Sequence, residues 1–482
     1  MSQELSNQHL EDWNERLMLA ESVLPIIGGL FRNQGVVLLM FGHPLFERTP
    51  IDILREHRWV RRVEEGELSI RDSYPLIEAL GRMELRPCRV DIGELVVDWV
   101  RAGRSPAPAE YLKDRLRGLE NIPERIIEKP QDVVLYGFGR IGRLIARLLI
   151  ERTGKGEALR LRAIVVRQGS ADDLWKRANL LRRDSIHGRF EGTITVDEEN
   201  SALVANGHFI NIIYSNAPDQ VDYTEYGIND AIVIDNTGKW RDREGLGLHL
   251  AAKGASKALL TAPGKGDIKN VVFGVNHGVI EKGDDIISAA SCTTNAITPV
   301  LQAVLDGFGI EGGHVETVHS YTNDQNLIDN YHPKKRRGRA AALNMVITET
   351  GAAKAVSKAI PELGGKLTGN AIRVPTPNVS LAILNLTLKR ETTVEELNSY
   401  LRRAALHSNL SLQIDYTTST EVASTDLVGS RYPGIVDSTS TIVNENRCVL
   451  YVWYDNEYGY SMQVVRVAQR MAGIDLVTLP LK

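Results

Sequence analysis

An apolar run that breaks into glycines constrains this chain most. Val133-Val134-Leu135-Tyr136 leads into Gly137-Phe138-Gly139-Arg140-Ile141-Gly142, and apolar residues follow at helical spacing: Ile141, Leu144, Ile145, Leu148 and Leu149. Strand, tight glycine turn and helix in that order open a βαβ unit of a doubly wound parallel sheet. The glycines allow a sharp turn and let a pyrophosphate approach the helix N-terminus, where unpaired N–H groups point outward. Apolar stretches at 159–166, 231–238 and 258–263 end in turn residues, as the ligand-facing edge of such a sheet requires.

A chain of 482 residues is too long for one core, so two or three domains are expected. A net charge of −4 leaves no electrostatic footprint for nucleic acid. Cys88, Cys292 and Cys448 are too few for a disulfide framework and suit a reducing compartment. The N-terminus lacks a basic segment followed by an apolar one, and the apolar stretch 23–41 is interrupted by Pro25, Gly28, Gly29 and Arg32. It falls short of the roughly 20 continuous apolar residues of a membrane span. A cytoplasmic protein without membrane contact is expected. His187 and His277 have no paired ligand spacing and read as structural, and no metal site is expected.

Cys292 lies in Ser291-Cys292-Thr293-Thr294-Asn295, just before the apolar stripe Ile297, Val300, Leu301, Val304 and Leu305. Capping residues ahead of a stripe mark a helix start. A thiol there meets unpaired N–H groups and the positive helix end, which favour the thiolate. Further on, 315–322 alternates as a strand does and carries His319, whose imidazole can activate a thiol and shuttle a proton.

The stretch 291–295 resembles the active-site signature of phosphorylating glyceraldehyde-3-phosphate dehydrogenases, and the similarity runs with interruptions from about Asp132 to the C-terminus. The resemblance implies an α/β protein. Its Rossmann-type NAD(P)-binding domain would span 131–291 and be completed by a C-terminal helix at 456–482. An α+β catalytic domain with a mainly antiparallel sheet would span 292–455. Residues 1–130 lie outside it and read as a helical extension whose partner is unknown. The resemblance further implies Cys292 as nucleophile and His319 as base. Arg373 and Thr322 would hold the substrate's C3 phosphate, and Thr350 with Gly351 would hold inorganic phosphate, beside Ser291 and Thr293. Gly137, Gly139, Arg140, Ile141, Gly142, Thr237, Thr261, Asn456 and Tyr460 would face the cofactor.

Two departures bear on that cofactor. Arg167-Gln168-Gly169-Ser170 stands where the family normally carries Asn-Asp, and Asn330-Tyr331 where its NAD users typically carry Leu-Pro. Losing the carboxylate that binds the ribose 2′-hydroxyl removes repulsion of a 2′-phosphate, which shifts the balance from NAD towards NADP or dual use. The implied activity is oxidation of glyceraldehyde 3-phosphate with uptake of inorganic phosphate by a homotetramer, in glycolysis or gluconeogenesis. Erythrose-4-phosphate dehydrogenase is the enzymatic alternative. A regulatory or scaffold protein acting through the extension is the other.

Overall fold

The computed structural model describes residues 2–63, 68–152 and 158–481. Among the described residues the principal sheets have four, nine and eight strands. In the nine-stranded sheet the strand Gln131–Tyr136 lies centrally, between Ala231–Asp235 and Leu159–Val166, and pairs in parallel with both. Residues 132–136 of that strand are buried. A strand enclosed on both faces gains most from apolar residues at every position, so it runs unbroken rather than alternating. The helix Arg140–Arg152 follows the glycine turn and buries Leu144, Ile145, Leu148 and Leu149. Gly137 has φ +94°, and a Cβ on Gly142 would come within 2.5 Å of the Gly137 carbonyl oxygen. Both positions therefore require glycine.

The eight-stranded sheet is mainly antiparallel. Its parallel pairings join Ile310–Ser320 to Leu367–Val374 and Ile414–Thr417 to Gly434–Asp437. The helix Cys292–Phe308 leads from the first sheet into the second, so its N-terminus lies at their junction.

The last helix, Tyr458–Met471, packs on Arg140–Arg152. It is shorter than the expected span of 456–482. Gly473 follows with φ +73°, and the N–H groups of Gly473 and Ile474 donate to the carbonyls of Arg470 and Gln469. That left-handed cap ends the helix. The chain then leaves the cofactor domain: Thr478–Leu479 pairs in parallel with Arg89 and Val90.

The extension is helical, as expected, but it also has a sheet. The helix Ser2–Gln34 leads to the strand Val37–Met40, which pairs with His43–Pro44 and Arg89–Asp91. Asp91 joins these pieces. Its carboxylate accepts the N–H groups of Phe41 and Gly42 at 2.9 and 2.8 Å and caps the helix Ile92–Arg101 through Gly93. Leu406 from the catalytic domain and Leu479 from the tail are buried in the same core as Leu38, Leu76 and Val90. The extension thus shares its core with the body.

His43 strengthens that docking. Its ring lies 3.0 Å from Glu56 and 3.7 Å from Asp415 of the catalytic domain. Burial works against its charge, but Glu56 and Asp415 outweigh burial and raise its pKa from 6.5 to about 10. The protonated form therefore stabilises the fold fully below pH 6.5, and that contribution fades as pH rises to about 10. His43→Gln is expected to lower Tm at mildly acidic pH and to flatten the loss of Tm across that window. A Tm–pH slope identical to that of the native protein would remove this histidine from the docking.

Candidate active site

Ser291 caps the helix Cys292–Phe308 with extended backbone, and its Oγ accepts the Thr294 N–H at 3.1 Å. Cys292 is therefore the first residue of the helix. Just before it, Ala290 is held at φ +55°, and across the site Val379 is held at φ +63°. Left-handed backbone is rare for alanine and a genuine outlier for a β-branched residue, so local strain flanks the site on two sides. Ser320 holds the second strained segment by donating from Oγ to the Val379 carbonyl at 2.8 Å.

The parallel pairing of Ile310–Ser320 with Leu367–Val374 puts His319 in register with Arg373. His319 Nε2 lies 3.6 Å from Cys292 Sγ. His319 Nδ1 lies 2.7 Å from the Ser320 carbonyl oxygen and 2.7 Å from Arg373 Nη1. These two contacts exclude each other chemically. Donation to Ser320 leaves a lone pair on Nε2 facing the sulfur, whereas accepting from Arg373 places a proton there.

Burial pushes the Cys292 thiol above its ordinary pKa, against the opposing pull of Arg373 and of the N–H groups at the helix start. Burial, aided by the Arg373 cation, holds His319 down at about 3. Desolvation thus outweighs the helix terminus here, contrary to the thiolate expected from sequence. Both groups rest neutral.

Tyr454 belongs to this centre and was not singled out from sequence. Its hydroxyl joins Thr293 Oγ1 at 3.0 Å and Thr317 Oγ1 at 2.6 Å, and its ring stands edge-on to His319 at 6.0 Å. In an aromatic-rich strand it reads as core. Only the inward alternation of Leu450, Val452 and Tyr454 hinted at its direction.

On the cofactor side, a Cβ on Gly139 would meet nothing within 4 Å, so the glycine turn is an open cradle. Beside it the Asn236 Oδ1 is buried without a hydrogen-bond partner, while its amide contacts the Gly137 carbonyl. An open turn at a helix N-terminus beside an unpaired polar atom fits a dinucleotide. Thr237 and Thr261 converge on Asp235: Thr237 Oγ1 bonds its carboxylate at 2.7 Å and Thr261 Oγ1 its carbonyl at 2.9 Å. Asn456 Oδ1 accepts from Ser380 Oγ at 2.8 Å, and the Tyr460 hydroxyl donates to the Ala290 carbonyl at 3.0 Å. Ile141 is partly buried against the cofactor-domain core.

The guanidinium of Arg140, a residue expected to face the cofactor, enters an ion-pair network. It is engaged by Asp184 at 2.5 Å, Glu457 at 2.6 Å and His187 at 3.0 Å. That network also takes in Asp455 and ties the cofactor domain to the end of the catalytic sheet. At the end of the strand Leu159–Val166, Arg167 to Ser170 are exposed. Asp172 is paired with Lys176 at 2.8 Å and Asp173 with Arg177 at 2.6 Å.

Thr322 follows the His319 strand and accepts the Gln325 N–H through its carbonyl at 2.9 Å. Thr350 and Gly351 stand at the start of the helix Ala352–Ala359, where Thr350 Oγ1 accepts the Ala352 N–H at 3.2 Å. Thr350 opens onto a cleft of about 730 Å³ lined also by Lys335, Arg336 and Arg337. Arg337 on its wall also acts on His319, adding to burial and Arg373 in holding that imidazole down.

A doubly wound dinucleotide fold with a thiol–imidazole pair at the domain junction defines a class of nucleotide-dependent oxidoreductases. The sequence comparisons specify it further. Residues 131–243 match the glyceraldehyde 3-phosphate dehydrogenase NAD-binding domain, and residues 291–456 match the C-terminal domain of the same family. The chain belongs to the glyceraldehyde-3-phosphate dehydrogenase family. It is 41% identical over 343 residues to a glyceraldehyde-3-phosphate dehydrogenase of Zymomonas mobilis, covering 70% of this chain and 98% of that one. Glyceraldehyde-3-phosphate dehydrogenase 2 of Bacillus subtilis is 41% identical over 342 residues, covering 70% and 96%. A glyceraldehyde-3-phosphate dehydrogenase-like protein of Pseudomonas aeruginosa is 57% identical over 460 residues, covering 95% of this chain and all of that one. That last alignment is longer than the body from 131 to 482, so it runs into the extension.

Proposed function

We propose that this chain oxidises D-glyceraldehyde 3-phosphate to 1,3-bisphosphoglycerate, with NAD or NADP as hydride acceptor. The observation that carries this reading is the Cys292 sulfur 3.6 Å from His319 Nε2, with Arg373 on the other side of the same ring. Cys292 Sγ attacks the aldehyde carbon while His319 Nε2 takes the thiol proton, which forms a thiohemiacetal. The N–H groups at the start of the Cys292 helix and the protonated imidazole hold the developing oxyanion. The glycine turn at 137–142 would hold a nicotinamide dinucleotide, which would supply the hydride acceptor for that carbon. The thioester left on Cys292 is attacked by phosphate, which breaks the C–S bond and releases the acyl phosphate and the thiolate.

Arg373 gives the substrate phosphate a second task. A guanidinium that turns to a phosphate leaves His319 Nδ1 free to donate to the Ser320 carbonyl, and that tautomer presents the basic lone pair to the sulfur. Thr322 assists there, while Thr350 and Gly351 serve the attacking phosphate. Arg167 at the strand end, with both nearby carboxylates already paired, supports acceptance of a 2′-phosphate. Exposed Leu327, Ile328, Tyr331, Leu343 and Met345 support burial of this lobe in a homotetramer.

Initial rates with both cofactors, with and without inorganic phosphate, on glyceraldehyde 3-phosphate and erythrose 4-phosphate test the reading. Product formation is expected to require phosphate, with kcat/KM for NADP within about tenfold of that for NAD. Phosphate-independent oxidation of erythrose 4-phosphate would replace this assignment. A native mass of one chain in sedimentation would remove the tetramer.

A further inference from the structure

The junction between the extension and the cofactor domain encloses a cavity of about 270 Å³. Phe31, Val37, Phe46, Leu85 and Ile127 make much of its wall, and the helix Arg140–Arg152 enters it with its last residue, Arg152. Phe31 and Phe46 stack at 4.4 Å with their planes 11° apart, and the Arg152 guanidinium lies 5.8 Å from the centre of the Phe46 ring. The wall is thus part apolar and part charged, with Arg86, Arg125 and Glu124 lining it beside Arg152.

The carboxylates of Glu151 and Glu47 act on Arg152 from a distance, pulling its pKa up against burial. Among the described residues Arg152 makes no hydrogen bond or ion pair. Neighbouring Glu151 is committed to Arg431 at 2.5 Å, and Glu124 on the rim is exposed and unpaired with Arg152. Two further guanidiniums nearby bond only to neutral acceptors. Arg89 donates to the Leu476 carbonyl at 2.7 Å, and Arg466 donates to the Leu412 carbonyl at 2.6 Å and to Gln413 at 3.1 Å. Burial lowers the pKa of Arg152 to about 10, and Arg431 adds to that shift. Burial with the repulsion of neighbouring arginines brings Arg466 to about 9. An enclosed charge with no bonded partner is strongly unfavourable. The carbonyls at the helix end offset only part of it.

We infer that this cavity binds a small amphipathic monocarboxylate, with an aryl or short acyl body against the stacked Phe31–Phe46 pair and the carboxylate forked onto Arg152. A guanidinium presents two parallel N–H groups to a carboxylate, and the apolar part of the wall excludes competing water. The bound molecule touches the extension and the C-terminal end of the helix whose N-terminal end is the dinucleotide turn. It also reaches Gln469 on the helix Tyr458–Met471. Occupancy therefore fastens the extension to two helices of the cofactor domain.

Calorimetry and thermal unfolding of the full chain test this with octanoate and 3-phenylpropionate, each set against its neutral primary amide. Saturable binding of at least one carboxylate is expected, about tenfold or more tighter than its amide, with a matching rise in Tm. Arg152→Met is expected to abolish the preference for carboxylate over amide, while the ligand-free variant melts no lower than the native protein. The stronger of the two carboxylates identifies the body as aryl or acyl. Absence of saturable binding, equal affinity for acid and amide, or a preference that survives in Arg152→Met would each overturn the inference. Should Arg152→Met fail to fold, the comparison of acid with amide on the native chain decides alone.

Discussion

Cys292→Ser is expected to lower kcat for aldehyde oxidation by roughly 10³-fold or more while dinucleotide binding persists. A hydroxyl fits the same space at the head of the helix, but it ionises far less readily than a thiol and makes a poorer leaving group from an acyl intermediate. The glycine turn at 137–142 is built by its own strand and helix, and its cradle does not depend on the sulfur. Fluorescence titration with NADH, set beside steady-state rates, separates the two effects. Residual turnover near the native level would sink the covalent reading.

His319→Asn is the second large expected effect, a drop in kcat of about 10²–10⁴-fold. Asparagine retains a polar group of similar reach but cannot carry the thiol proton away or return one to the oxyanion. Because burial and Arg373 keep the imidazole neutral, its contribution is expected during acylation and not from a standing ion pair with the sulfur. The rate of the first-turnover burst of reduced cofactor is therefore the informative readout. A burst of native rate in His319→Asn, with only later turnovers slowed, would move this histidine from acylation to the release of the acyl group.

The cofactor half of the molecule was legible in the sequence because its signals are local. The run 133–136, the glycines that follow and the stripe through Leu149 each specify backbone geometry within a few residues. The start of the Cys292 helix was legible for the same reason, since a cap and an apolar stripe are neighbours in sequence. The extension was harder to read. The strand Val37–Met40 is a short wholly apolar run after a long helix, and periodicity cannot distinguish such a run from more helix. The other strands of its sheet are two or three residues long, and one of them, Thr478–Leu479, comes from the opposite end of the chain.

The sequence by itself determined the dinucleotide fold, the family resemblance and the identity of the thiol and imidazole, because each rests on residue type and short-range spacing. Only the tertiary structure decided what those groups experience. The register of two parallel strands sets Arg373 against His319, burial overrides the helix terminus at Cys292, and Asp184 with Glu457 engages the Arg140 guanidinium. The fork between the Ser320 carbonyl and Arg373 at a single imidazole nitrogen, and the buried Arg152 beneath the extension, belong to the same class. Desolvation and pairing depend on what packs around a group from distant parts of the chain, and no local pattern carries that information.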